Sequence, residues 1–179
     1  MNFSDICVDI ETCSTYPNAT ILSISAVSFD PLKITEDFTD NPKLDLLLNI
    51  EEQSNRHIDE NTIAWWSQQD PKVQAKMFGE ENRVSVKDAL QQFSKMCWNK
   101  QRIWAQGITF DITILENILR ENNMPIPFQY FKTRDSRTLM DLVEVIQDPV
   151  THDSLEDVIR QIKGTQQALS KLNVKKFMR

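Results

Sequence analysis

The run Ile6-Cys7-Val8-Asp9-Ile10-Glu11-Thr12 places two carboxylates, one residue apart, inside an apolar and β-branched segment. In a strand, successive side chains alternate faces, so Asp9 and Glu11 point the same way while Ile6, Val8 and Ile10 take the opposite, core-facing side. Two carboxylates on one face near a strand's end repel each other unless a cation lies between them. Hard oxygen ligands at that spacing suit Mg²⁺ or Mn²⁺. An edge strand carrying two solvated acids satisfies the same pattern, so the pair needs further support from the rest of the chain.

Working outward, the first third continues as strands. Thr20 to Phe29 alternates Leu22, Ile24 and Ala26 against Ser23 and Ser25, and Asp30-Pro31 ends it. Leu44 to Ile50 predicts a third strand, although Leu46-Leu47-Leu48 also fits a helix. Asn61 to Gln68 reads as a short helix holding Trp65-Trp66, and Pro71 can open another turn. Ser85-Val86-Lys87-Asp88 starts a helix reaching about Trp98. Arg102 to Gln106 predicts a buried strand that Gly107 leaves, and Thr109-Phe110-Asp111 opens a helix with Ile114, Leu115, Ile118 and Leu119 as its apolar stripe. A short strand is expected around Gln129 to Lys132, then a helix capped by Ser136 and running to about Ile146. Leu155, Val158, Ile159 and Ile162 mark a last long helix, expected to be interrupted or bent near Gly164. Strands first, then alternating helices and strands, give an α/β class with a mixed sheet.

Composition narrows the setting. With 179 residues, 40% of them hydrophobic, the chain suits one domain spanning 1–179 with a sizeable core. No apolar run approaches the length of a membrane span, and Met1 to Asp5 lacks the basic stretch of a secretory leader, so an intracellular, cytoplasmic setting is expected, in a host cell if the source is viral. Cys7, Cys13 and Cys97 lack CxxC spacing and read as reduced thiols without structural zinc. The net charge of −6 is unlike a DNA-coating protein, yet Val158 to Arg179 carries six basic and no acidic residues. That end could follow a phosphate backbone or be a solvated helix.

Two further acids stand where a ligand site could use them. Asp111 follows a strand at the strand-to-helix junction where open α/β sheets place ligands, although an acid there also complements a helix dipole. In Thr151-His152-Asp153-Ser154-Leu155-Glu156-Asp157, five helical residues rotate a side chain by about 500°. His152 and Asp157 therefore converge only if His152 sits in the loop before the helix, with Thr151 or Asp153 as its cap. Asp157 lies off the apolar stripe, on a face that periodicity leaves as either open solvent or a solvated cleft. His57, in Ser54-Asn55-Arg56-His57, reads as an exposed loop residue.

The ordered set Asp9-Ile10-Glu11, Gly107 to Leu115 with Asp111, and His152 followed five residues later by Asp157 resembles the three exonuclease motifs of DEDDh-type DnaQ-like 3′–5′ exonucleases. Thr62-Ile63-Ala64-Trp65-Trp66 and Arg134-Asp135-Ser136-Arg137-Thr138 are similar to a phage and bacterial subgroup that includes phage exonuclease A. The resemblance implies a ribonuclease H-like fold with a central sheet of about five strands flanked by helices. It implies a metal-dependent release of nucleoside 5′-monophosphates from 3′ ends of DNA or RNA. It assigns Asp9, Glu11, Asp111 and Asp157 to two Mg²⁺ or Mn²⁺ ions, Asp9 bridging them, and His152 to the general base. Thr12, Trp65, Trp66 and Phe110 are the implied substrate contacts. Adjacent helical residues cannot both face the core, so one of Trp65 and Trp66 packs while the other is free to stack on a base, unless both are packing aromatics. Arg134 and Arg137 could reach phosphates or pair with Asp135 and Asp141. The expected partner is single-stranded nucleic acid or a free 3′ end; membrane binding is not expected, and monomer and homodimer both stay open. A second reading, a noncatalytic module binding nucleic acid or protein on the same fold, is disfavoured because such a module need not keep like charges together.

Overall fold

The computed structural model describes residues 3–177. Strands β1 (Asp5–Thr12), β2 (Ile21–Phe29), β3 (Lys43–Leu48), β4 (Arg83–Val84), β5 (Arg102–Ala105) and β6 (Thr133–Asp135) form one sheet in the order β4-β3-β2-β1-β5-β6. β1 is antiparallel to β2 and β2 to β3, while β5 runs parallel to β1 and β6 parallel to β5. The sheet is mixed, as expected, but among the described residues it has six strands rather than about five. The added one, β4, is two residues parallel to the end of β3 and too short to show any alternation.

Helices α1 (Glu60–Trp66), α2 (Pro71–Phe78), α3 (Val86–Cys97), α4 (Asp111–Glu121), α5 (Ser136–Met140) and α6 (Ser154–Lys171) surround it. Side-chain caps explain most of the starts. Asp59 accepts from the Asn61 amide, Asp70 from Lys72 with Pro71 in the first turn, and Ser85 from Asp88 at 3.1 Å.

Ile6, Val8 and Ile10 pack with Ile24, Ala26, Leu90, Phe93, Ile114, Leu115 and Ile118 into the larger core, under α3 and α4. The other face of β1 is buried too, because Cys7, Val27, Phe29 and Trp104 pack against Val158 and Ile162 of α6. This second core explains why β2 is buried along its whole length and not on one face alone. The acid pair therefore emerges beyond a helix-covered stretch of sheet, not on an open edge. Its register is pinned at the far end of the strand. Asp5 pairs with Arg102 at 3.0 Å and accepts the Trp104 indole N–H at 2.7 Å, fixing β1 against β5. The Phe177 ring lies 3.7 Å from the Arg102 guanidinium and closes that corner.

Several sequence expectations change. Tyr130–Lys132 is a 3₁₀ turn, and the strand begins at Thr133. α5 is capped by Asp135 and stops at Met140, because Leu142 and Ile146 keep helical spacing but are 66% and 82% exposed, with nothing to pack on. α6 runs without interruption through Gly164. Close packing suits glycine there: a Cβ would meet Met140 Sδ and the Gln147 amide, the ends of flexible side chains that would have to shift. His57 is half-buried; its Nδ1 lies 2.7 Å from Ser14 Oγ and its ring meets Tyr16 at 4.5 Å between centroids. Among the described residues no helix is long and apolar enough to cross a membrane.

Candidate active site

β1 delivers Asp9 and Glu11 to one end of the sheet, facing α6. Asp111 arrives from the neighbouring strand: β5 ends at Ala105, Gly107 turns the chain with φ 116°, and Asp111 opens α4. Its Oδ1 accepts the Ile10 amide at 3.2 Å, so the backbone between the two acids of β1 also fixes the third. α6 brings the remaining pair. Ser154, its first residue, lies 2.9 Å from Ser23 Oγ and 2.7 Å from Ser25 Oγ, which seats the helix N-terminus on β2. The serines that look like a solvent face in the sequence are this docking point.

Ahead of α6, Asp153 is the cap, accepting from Leu155 and Glu156, and His152 lies in the loop as its convergence with Asp157 requires. Asp157 Oδ2 accepts the His152 amide at 2.9 Å, and Oδ1 accepts the Thr151 amide at 3.4 Å. His152 is held at φ 59°, a conformation a non-glycine residue adopts rarely. The Trp65 ring meets the imidazole edge-to-face, with centroids 4.7 Å apart. From α2, Lys76 ties the same loop by pairing with Asp153 at 2.6 Å and Asp45 at 3.2 Å.

Asp9, Glu11, Asp111, His152 and Asp157 line a single cleft of roughly 230 Å³. Glu11, His152 and Asp157 each present a ligand atom within 4.8 Å of the others. Asp9 is held instead by Gln161, whose amide donates to Oδ1 at 2.7 Å while its Oε1 accepts from the buried Cys7 thiol at 3.4 Å. Arg160 donates to Asp157 Oδ1 at 2.9 Å and to Gln106 Oε1 at 3.0 Å. Gln106, Arg160, Gln161, Lys76 and the three serines are thus site-building residues beyond the sequence-derived set. The spacing gave one hint, since Arg160 and Gln161 lie one helical turn after Asp157. Arg160 is consequently buried in the site and is not part of a free basic tail.

The electrostatics are those of crowded acids. Burial first, then repulsion from Asp157, pushes the Asp9 carboxyl up to about 7. Burial, then Asp9, pushes Glu11 and Asp111 well above the ordinary carboxylate range. Such groups ionise together only when positive charge enters among them. With hard oxygen donors dominating, the four carboxylates could hold a divalent cation, with the imidazole beside them.

The other sequence candidates lie beside the cleft. Thr12, Trp65, Trp66 and Phe110 line an adjoining hollow with Glu11, Thr15 and Asn61. The tryptophans divide as neighbouring helical residues must. Trp66 is 2% exposed and donates its indole N–H to the Thr12 carbonyl at 2.9 Å, whereas Trp65 is 39% exposed. Thr12 is itself buried, its hydroxyl given to the Ser14 carbonyl. Trp65 and Phe110 are therefore the open aromatic surfaces, and Trp66 and Thr12 form the wall behind them.

Comparison with known proteins identifies the family and the fold. The sequence matches the family described as the 3′-5′ exoribonuclease Rv2179c-like domain over residues 4–169. No curated protein sequence matches. Solved structures with the same fold include the cell-death related nuclease CRN-4, at 15% identity and TM-score 0.59; the match covers 93% of this chain but only 64% of that one. The nuclease domain of 3′hExo, a DEDDh family member solved with rAMP, is 13% identical with TM-score 0.58, covering 93% and 92% of the two chains. Exonuclease X, solved with 5′ overhanging duplex DNA, is 13% identical with TM-score 0.54, covering 94% and 93%. The chain belongs to the 3′-5′ exoribonuclease Rv2179c-like family and is a 3′–5′ exonuclease on a ribonuclease H-like fold.

Proposed function

We propose that this chain removes nucleotides from the 3′ end of single-stranded RNA, with Asp9, Glu11, Asp111 and Asp157 holding two Mg²⁺ or Mn²⁺ ions and His152 as general base. The observation that carries the reading is the convergence of all five side chains on one cleft at the end of β1. When bound, the ions would polarise the phosphodiester, lower the pKa of the attacking water and neutralise the leaving 3′-oxygen. The His152 imidazole takes the proton as that water attacks phosphorus and the bond to the 3′-oxygen breaks. A nucleoside 5′-monophosphate leaves, and the departing 3′-oxygen takes a proton from solvent, so the shortened strand ends in a 3′-hydroxyl. Asp157 orients His152 through its backbone amide, and Trp65 limits the swing of the ring. Trp65 and Phe110 offer stacking surfaces for the terminal base, with Thr12 and Trp66 supporting them. RNA is favoured over DNA because the matching family is an exoribonuclease one.

The test of the base is His152→Asn. Asparagine tolerates the left-handed backbone at this position, so the imidazole is removed without new strain. Single-turnover cleavage of a 5′-labelled RNA should fall roughly 10²–10⁴-fold, with circular dichroism and Mn²⁺-induced stabilisation retained. Wild-type turnover by the variant would remove His152 from the chemistry. His57→Ala is not a silent control, since His57 is built into the Ser14–Tyr16 turn.

A further inference from the structure

We infer that Arg137 is a substrate-binding residue, donating its guanidinium to a phosphate at the 3′ end of the strand held over the acidic cleft. This rests on the nuclease reading above and adds a positive contact to a site otherwise described by its acids. Two arginines line the cleft. Arg160 is buried and held by Asp157 and Gln106. Arg137, on α5, is exposed and makes one hydrogen bond, from Nη2 to the Gln106 carbonyl at 3.2 Å. A guanidinium has five N–H donors, so most of its capacity is directed at solvent in the cleft. The ion pairs that the sequence allowed with Asp135 or Asp141 are not formed: among the described residues, Arg137 has no carboxylate within ion-pair distance. Asp135 is instead turned to the Thr138 amide as the α5 cap. Arg137 is nonetheless near enough to the acids to act on them, being the charged side chain that counters burial and Asp9 at Asp111.

The chemistry fits one ligand class. A planar, permanently charged fork beside a cleft that must admit a polyanion is suited to bidentate phosphate binding. Its anchor also places it well. The Gln106 carbonyl belongs to the β5–α4 turn that delivers Asp111, so the guanidinium is tethered to the backbone that builds the metal-side carboxylates. Arg137 thus lies on the β5–β6 side of the cleft, whereas Trp65 reaches it from α1. A strand end could be gripped by its terminal base on one side and by a phosphate on the other.

The experiment measures binding separately from chemistry. In a His152→Asn background with Mg²⁺, anisotropy of a labelled single-stranded RNA is titrated across salt, with and without Arg137→Ala and Arg137→Lys. Arg137→Ala should weaken binding about tenfold and lower the slope of log affinity against log salt by about 0.7, the value for one phosphate contact on a single strand. Arg137→Lys should keep the slope and recover part of the affinity, because the point charge survives and the fork does not. In otherwise wild-type protein, Arg137→Ala should raise KM more than it lowers kcat, with Mn²⁺-induced stabilisation unchanged. An unaltered salt slope, or a loss of activity that tracks a loss of Mn²⁺ stabilisation, would overturn the assignment. Failure of the wild type to shorten the RNA with divalent cation would instead strike at the nuclease reading, and the binding titration would still decide the role of Arg137.

Discussion

Asp9→Asn should make the metal-free protein more stable at pH 8, although it removes a residue central to the proposed site. The folded protein holds the Asp9 proton more tightly than the unfolded chain does, since its carboxyl is raised from 3.8 to about 7. Stability therefore falls as pH rises from the unfolded value through the folded one, and the penalty is complete above about pH 7. A shift of that size corresponds to at most about 4 kcal/mol at 1.36 kcal/mol per pKa unit. The carboxyl is partly open to water and shares its repulsion with Asp157, so about half of that, roughly 2 kcal/mol, is a sounder expectation. Asparagine keeps an oxygen for the Gln161 amide and removes the charge. For a chain of this length the gain is about 4–8 °C in Tm. The assay is thermal unfolding of both proteins in EDTA at pH 4 and pH 8, repeated at pH 8 with Mn²⁺. The difference should shrink to about 0.5 kcal/mol or less at pH 4, just above the unfolded value. Mn²⁺ should reverse the order, because an ion bound only by the folded wild type at about 100 times its Kd stabilises it by about 2.7 kcal/mol. A variant less stable than wild type at pH 8 in EDTA, or one that gains as much from Mn²⁺, would show that Asp9 carries no such charge penalty.

Other substitutions separate support from chemistry. Arg160→Met leaves Asp157 buried without its partner and should cost about 3 kcal/mol in EDTA, less with Mn²⁺, read by urea unfolding. Trp66→Ala should cost about 3–5 kcal/mol because the ring is buried, whereas Trp65→Ala should change stability little and raise KM; equal effects would remove the division of labour between them. Asp5→Ala strands a buried guanidinium at the β1–β5 register pin and should cost about 3–5 kcal/mol, measured by the same unfolding.

The strands with apolar alternation and the helices with a marked apolar stripe were legible in the sequence, because in both cases periodicity is imposed by packing one face against a buried core. The six-strand count was not, since β4 is too short to carry a period. α5 misled because Leu142 and Ile146 continue a helical spacing whose face has no partner. The motif acids stood out because Asp9 and Glu11 interrupt an apolar strand and Asp111 opens a helix just after one. Their supports were less visible. Ser23, Ser25 and Ser154 look like surface positions until α6 is docked, and Gln161 is one polar residue among several on a long helix. Burial of Asp157 is a tertiary fact, set by the sheet beneath α6, and helical periodicity alone leaves that face open.

The proposed chemistry depends on the four carboxylates forming a two-ion site with His152 beside it. The most direct test is anomalous diffraction from crystals grown with Mn²⁺ and a nucleoside 5′-monophosphate. The account predicts two peaks about 3.5–4 Å apart among Asp9, Glu11, Asp111 and Asp157, with the phosphate spanning them and the His152 ring facing it. A lone ion bound by His152 as a ligand, or peaks away from these carboxylates, would contradict it.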